Sequence, residues 1–218
     1  MFIEVNMKKI VFVDIPMREL NDNSKQCYAN TGNTKCKYNE KVHFPINAVL
    51  ADKMKQDDEV KVVFLTTTTQ TDSSNENVKK FQEELNEINK KINAKIYYEI
   101  INSVFEETKN VHEKRIENMI SVLENDSEIY ADITFGQKPI PMLLMCVLTF
   151  AEKFCNADIK KVIYGKVEFV KHSDGKTYPE KPELYDVTSL YYLNNLVGTM
   201  EASSCSEAKK SLKAFFDI

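Results

Sequence analysis

The stretch Asp132-Ile133-Thr134-Phe135-Gly136-Gln137-Lys138-Pro139-Ile140-Pro141-Met142 holds the residue types most suited to holding an anion. Gly136 lets the backbone approach a ligand closely, Thr134 offers a hydroxyl and Lys138 a point charge. Pro139 and Pro141 start a helix rigidly. A helix N-terminus presents free N–H groups and a partial positive charge, which together suit a phosphate. The same run also fits an ordinary strand-to-helix turn with incidental Thr and Lys.

Two further polar segments follow apolar runs. Thr66 to Thr71 carries the hydroxyls of Thr66, Thr67 and Thr68, suited to phosphate, ribose or base edges, or to capping a solvated loop. Asp14-Ile15-Pro16-Met17-Arg18 holds one of only two arginines in the chain, the other being Arg115. A carboxylate is a poor phosphate neighbour, so Asp14 suits an adenine amino group or a ribose hydroxyl, with Pro16 and Arg18 beside it. All three segments leave at strand carboxyl ends, where open α/β sheets bind ligands.

The elements that must position these residues are legible as pattern. Lys9–Asp14, Glu59–Leu65, Lys95–Ile101, Glu128–Ile133, Lys160–Gly165, Val167–Val170 and Leu184–Val187 read as strands. Between them lie helices: Phe44–Met54, a long one capped by Ser73 or Ser74 and ending near Ile92, Val111–Leu123 and Pro139–Phe154. The long helix keeps Val78, Phe81, Leu85 and Ile88 on one face. Pro139–Phe154 is nearly all apolar, so it is expected to be central and covered on most sides. Lys25–Ala29 and Thr34–Tyr38 around Asn30-Thr31-Gly32-Asn33 predict a β-hairpin insertion after the first strand. Ser173–Pro182 reads as a loop, and two helices from about Thr188 and Ser206 finish the chain. Strands alternating with helices predict an α/β fold with a mostly parallel sheet covered on both faces.

The bulk composition narrows the function classes. The 218 residues carry 43% hydrophobic and 28% charged residues and a net charge of −4, ordinary for a soluble globular domain. That balance argues against wrapping long DNA or RNA, but leaves room for a small anionic ligand at a local positive site. Five cysteines without a CxxC pair suggest a reduced, cytoplasmic protein with mostly buried thiols. The three histidines, His43, His112 and His172, show no zinc spacing, so no metal and no cofactor is expected. No apolar run reaches membrane-spanning length and no secretory signal is visible. A dinucleotide enzyme would need a GxGxxG turn after the first strand, where this chain has Asp14 to Arg18.

Residues Asp132 to Met142 resemble the DxTHG-containing signature of CRISPR-associated CARF proteins, in which a basic residue follows the glycine by two and a Pro-Met pair lies further on. The order of other segments is similar as well: Tyr28 to Tyr38, the Phe44-Pro45 helix start with Ala48 and Leu50, Leu65-Thr66, Ile163-Tyr164-Gly165 and Leu184 to Thr188. The resemblance spans roughly residues 8 to 200. Phe135 stands where the family has histidine, and Asp14 to Arg18 replaces its glycine-rich turn.

The resemblance implies a Rossmann-like sensor domain over residues 1–200. Residues 201–218 would be a C-terminal helix or the start of a linker to an effector. It implies a homodimer whose composite pocket binds a cyclic oligoadenylate second messenger of CRISPR antiviral signalling, cyclic tetra-adenylate or cyclic hexa-adenylate. The ligand-binding set is then Asp14, Pro16, Arg18, Thr66, Thr67, Thr68, Thr134, Phe135, Gly136, Gln137, Lys138 and Pro139. The alternative is a metal-independent ring nuclease, in which a ribose 2′-hydroxyl attacks the adjacent phosphate in line, Lys138 stabilises charge and Thr66 positions the hydroxyl. Neither arginine is followed by a histidine at the spacing of a HEPN nuclease motif, so an effector domain or partner would lie outside this chain.

Overall fold

The computed structural model describes residues 7–68, 74–173 and 175–216. The chain divides into two compact units, Met1–Thr188 and Ser189–Ile218. The first contains β1 (Lys8–Asp14), α1 (Pro45–Lys53), β2 (Glu59–Thr68), α2 (Ser74–Asn89), β3 (Lys95–Val104), α3 (Lys109–Ser121), β4 (Glu128–Asp132), α4 (Ile140–Phe154), β5 (Asp158–Lys171) and β6 (Thr177–Asp186). The helices α5 (Thr188–Thr199) and α6 (Cys205–Phe216) complete the chain.

The six strands form one sheet in the order β3-β2-β1-β4-β5-β6. The first five run parallel and β6 is antiparallel to β5. The chain steps from β1 to β2 to β3 in one direction, then returns to place β4 on the other side of β1. That reversal makes the β1–β4 junction the topological switch point of the sheet. α1 packs on α2, and α3 on α4. The expectation of an α/β, Rossmann-like, mostly parallel sheet therefore holds. β1 shows why it was legible: Ile10 to Val13 are all buried, as a central strand covered on both faces requires.

The core beside α1 and α2 is knitted by aromatic edges. Phe81 of α2 meets both Phe44 and Phe64 with ring centroids 5.0 Å apart, and Phe44 in turn meets Phe135 at 5.7 Å. Phe135, in the turn after β4, is thereby anchored to the core.

Several expectations are corrected. Thr66, Thr67 and Thr68 belong to β2 and pair with Asn102, Ser103 and Val104 of β3; residues 69–73, which hold the rest of the expected loop and the candidate cap Ser73, lie outside the described residues. The expected loop 173–182 is largely β6, an edge strand, which tolerates Pro179 and Pro182 because an edge strand needs fewer backbone donors. Lys166 does not separate two strands: β5 runs unbroken through it, with a shift of register between Lys166 and Glu168. The insertion after β1 turns back as a hairpin but without strands. One antiparallel bridge, Gln26 to Val42, and the Asn30 N–H to the Cys36 carbonyl hold it. Its residues bond instead to β6, through Thr34 and Asn33.

α4 is not covered on most sides. Ile140, Leu144, Val147, Leu148 and Ala151 face inward, while Met142 is 73% and Phe154 70% exposed. An all-apolar helix has no polar face to reveal which side is buried. For the same reason Cys146 is exposed, and with Cys205 also exposed the thiols are not mostly buried; only Cys36 is.

At the amino ends of the strands, Lys9 is buried and its ammonium lies 2.8 Å from Asp58 and 3.1 Å from Glu128. This ion triad joins β1 to the entry of β2 and the start of β4. Removing the cation leaves the buried Asp58 without its counter-ion and Glu128 with Lys160 alone, so Lys9→Met is expected to cost about 3–5 kcal/mol. Urea titration checks this as a lower midpoint at unchanged slope.

Candidate functional site

β1 and β4 end at the switch point in two buried carboxylates, Asp14 and Asp132. Asp132 is a hub. It accepts the Thr134 backbone N–H at 2.8 Å and the Ile46 N–H, in the first turn of α1, at 3.3 Å. The Thr134 hydroxyl accepts the Gly165 N–H of β5 at 2.8 Å. Gly165 is required here: a β-carbon would lie 2.4 Å from Pro45 and 3.2 Å from the Thr134 hydroxyl. One carboxylate thus ties the turn, α1 and, through Thr134, β5. Burial raises the Asp132 pKa to about 6, and hydrogen bonds from Thr134 and Ile46 oppose the rise.

Asp14 lies directly beneath Gly136. Gly136 adopts φ +91°, and a β-carbon there would fall 1.7 Å from an Asp14 carboxylate oxygen. Only glycine fits both the backbone and the contact. Burial first, and the neighbouring Asp132 second, push Asp14 well above the usual carboxylate range, against the pull of Arg115.

Arg115 is 3% exposed and spans the space between α3 and the turn. It donates to the Gln137 side-chain oxygen at 2.9 Å, the Val104 carbonyl at 3.0 Å and the Ser103 hydroxyl at 3.0 Å. With Asp14, Thr66 and Thr67 it lines a cavity of about 10 Å³, the size of one water.

The larger feature is a groove of about 740 Å³ beside the turn. Thr134 and Phe135 form part of its wall, with Pro16 and Arg18 from the segment after β1. Arg18 is exposed, and among the described residues its guanidinium makes no ion pair. The segment carrying it is shaped by Asn77 of α2, which is fully buried. Its amide donates to the Pro16 and Arg18 carbonyls at 2.7 and 2.9 Å and accepts the Leu20 N–H at 3.0 Å. The floor continues along β5 through Gly165, Val167 and Phe169. A volume in this range suits a small molecule, and the combination of an arginine on a held backbone segment with a turn at a strand end suits an anionic one.

The site residues expected from sequence thus fall into separate groups. Pro16, Arg18, Thr134 and Phe135 meet at the groove. Asp14, Thr66 and Thr67 line the small cavity, with Gln137 held above it by Arg115. Thr66 and Thr68 both donate to the Asn102 side-chain oxygen, at 3.1 and 2.8 Å. Lys138 is exposed and lines neither space, and Pro139 is half-buried in the turn before α4. Sequence reasoning missed Asn77 and the bridging role of Arg115, since a buried polar residue on a polar helix leaves no periodic trace. Gly165 did leave a signal: a glycine inside a strand marks close backbone approach.

The chain matches no known protein-family model and no curated protein.

The raised Asp132 pKa sets a sign for the pH dependence. The fold holds this proton to higher pH than the unfolded chain does, so the contribution is full below 3.8 and lost as pH rises through about 6. Across that window the wild type should lose about 3 kcal/mol through this group. In denaturation profiles from pH 4 to 7, the stability of the wild type relative to Asp132→Asn should fall by that amount.

Proposed function

We propose that this chain is a CARF-type sensor that binds a cyclic oligoadenylate, cyclic tetra-adenylate first, in the groove beside the Thr134–Phe135 turn. The observation that carries the reading is the meeting of Arg18 with that turn across a groove of about 740 Å³ at the carboxyl end of the sheet. Arg18 supplies a positive charge and a donor fork for a phosphate. The turn presents its backbone beside the start of α4, where the helix dipole favours an anion. The protein as a whole carries −4, so attraction must be local, and this is a place where it is. A Rossmann-like sheet is the fold that the CARF resemblance of the Asp132 to Met142 run implies.

In this reading two copies form the full pocket, each meeting half of the ring. The exposed face of α4, with Met142, Cys146 and Phe154, supports a homodimer contact, because apolar side chains this exposed gain most from a partner.

Calorimetry with cyclic tetra- and hexa-adenylate tests the ligand. Binding of either ring is expected, with Arg18→Ala weakening it by about 10- to 100-fold, the cost of a charge-assisted hydrogen bond. A wild-type trace indistinguishable from buffer with both rings removes the reading. Denaturing separation of the incubated radiolabelled ring reports whether it stays closed. Light scattering is expected to give a dimer for the wild type and a monomer for the double variant Met142→Glu, Phe154→Glu.

A further inference from the structure

The groove has an apolar end that phosphate recognition leaves without a role. Gly165, Val167 and Phe169 alternate along β5 and all line it, so they share one face of the strand. Pro179, opposite Phe169 in the β5–β6 pair, continues the same surface. Phe169 is 72% exposed, one of the most exposed large apolar side chains described. A phenyl ring left in water on the wall of a concave site, with an arginine across the same groove that makes no ion pair among the described residues, has the composition of a nucleotide site. A flat base covers the ring and the cation meets the phosphate.

We propose that Phe169 is a base-stacking residue: an adenine ring lies on its face, flanked by Val167 and Pro179, while the attached phosphate reaches Arg18. This rests on the nucleotide reading of the groove and adds the subsite that holds the base. Val167 and Pro179 bound the shelf with surfaces that offer no hydrogen bond from a side chain, so the base is held by stacking area. The ring stands on a strand and not on a loop, so its backbone is fixed before the ligand arrives, which lowers the ordering cost of binding. Its exposure also means that trimming it opens no cavity, so the variant is expected to fold as the wild type does.

The chain contains no tryptophan, so Phe169→Trp creates a single reporter at the shelf. In the full chain its emission is expected to be quenched on titration with cyclic tetra-adenylate or with AMP, and not with ribose 5-phosphate. Phe169→Ala is expected to weaken AMP and cyclic tetra-adenylate binding by about 5- to 100-fold, the range for one lost stacking contact. Ribose 5-phosphate affinity and the urea midpoint should stay unchanged. Wild-type affinity in Phe169→Ala, or ring binding by calorimetry without quenching in Phe169→Trp, overturns the shelf while leaving the cyclic-ligand reading in place. Quenching by AMP without binding of either ring overturns the cyclic-ligand reading and supports the shelf. No binding of AMP or of either ring overturns both. A changed oligomeric state in Phe169→Ala at unchanged affinity makes the ring a subunit contact and also overturns the shelf.

Discussion

The Asp132 carboxyl, buried where β4 ends, is the interaction on which the candidate site depends. It accepts N–H groups from its own turn and from the first turn of α1, while Thr134 passes the connection to the backbone of β5. The turn after β4 is therefore not a free loop. Its amide, its hydroxyl and the ring of Phe135 are all tied to the core. Burying a carboxyl is costly unless it is hydrogen-bonded or neutral, and here hydrogen bonds and a raised pKa both contribute. The arrangement gives a rigid edge to the groove.

Around that hub, polar side chains from the helices set the remaining positions. Asn77 shapes the segment that carries Arg18, and Arg115 holds Gln137 over Asp14. Glu84 of α2 performs the same service for the entry to α1, accepting from the His43 N–H and the Asn47 side chain, each at 2.7 Å. Buried polar residues of this kind are specific because an unpaired one is expensive, so each admits few backbone courses. The contrast with β5 is useful. There the groove is lined by apolar groups on a strand, and the precision comes from the sheet itself.

The residues with chemical potential in the sequence were sorted by the fold into two neighbouring spaces. Arg18 and Thr134 face the groove, whereas Asp14 and Thr66 serve the small cavity. Asp14 is the instructive case. As a residue after a strand it reads as a ligand contact, yet it sits under Gly136, which must be glycine to clear it. Neither buried carboxyl lines the groove; whether an acid at a strand end faces outward or supports a turn depends on side-chain direction, and the order of residues does not carry that information.

By itself the sequence determined the alternation of strands and helices, the parallel character of the sheet and the place where the turn at Thr134 to Lys138 leaves it. These follow from short-range causes: β-branched runs such as Ile10 to Val13 require burial on both faces, and the spacing of Val78, Phe81, Leu85 and Ile88 requires one buried helix face. Only the tertiary structure decided the buried side of α4, the strand character of Thr177 to Asp186, and the meeting of Arg18, Thr134 and Phe169 around one groove. Each of these depends on contacts between residues far apart in the chain. An apolar helix looks the same from every side, and an edge strand with two prolines looks like a loop, until neighbours determine which groups are covered.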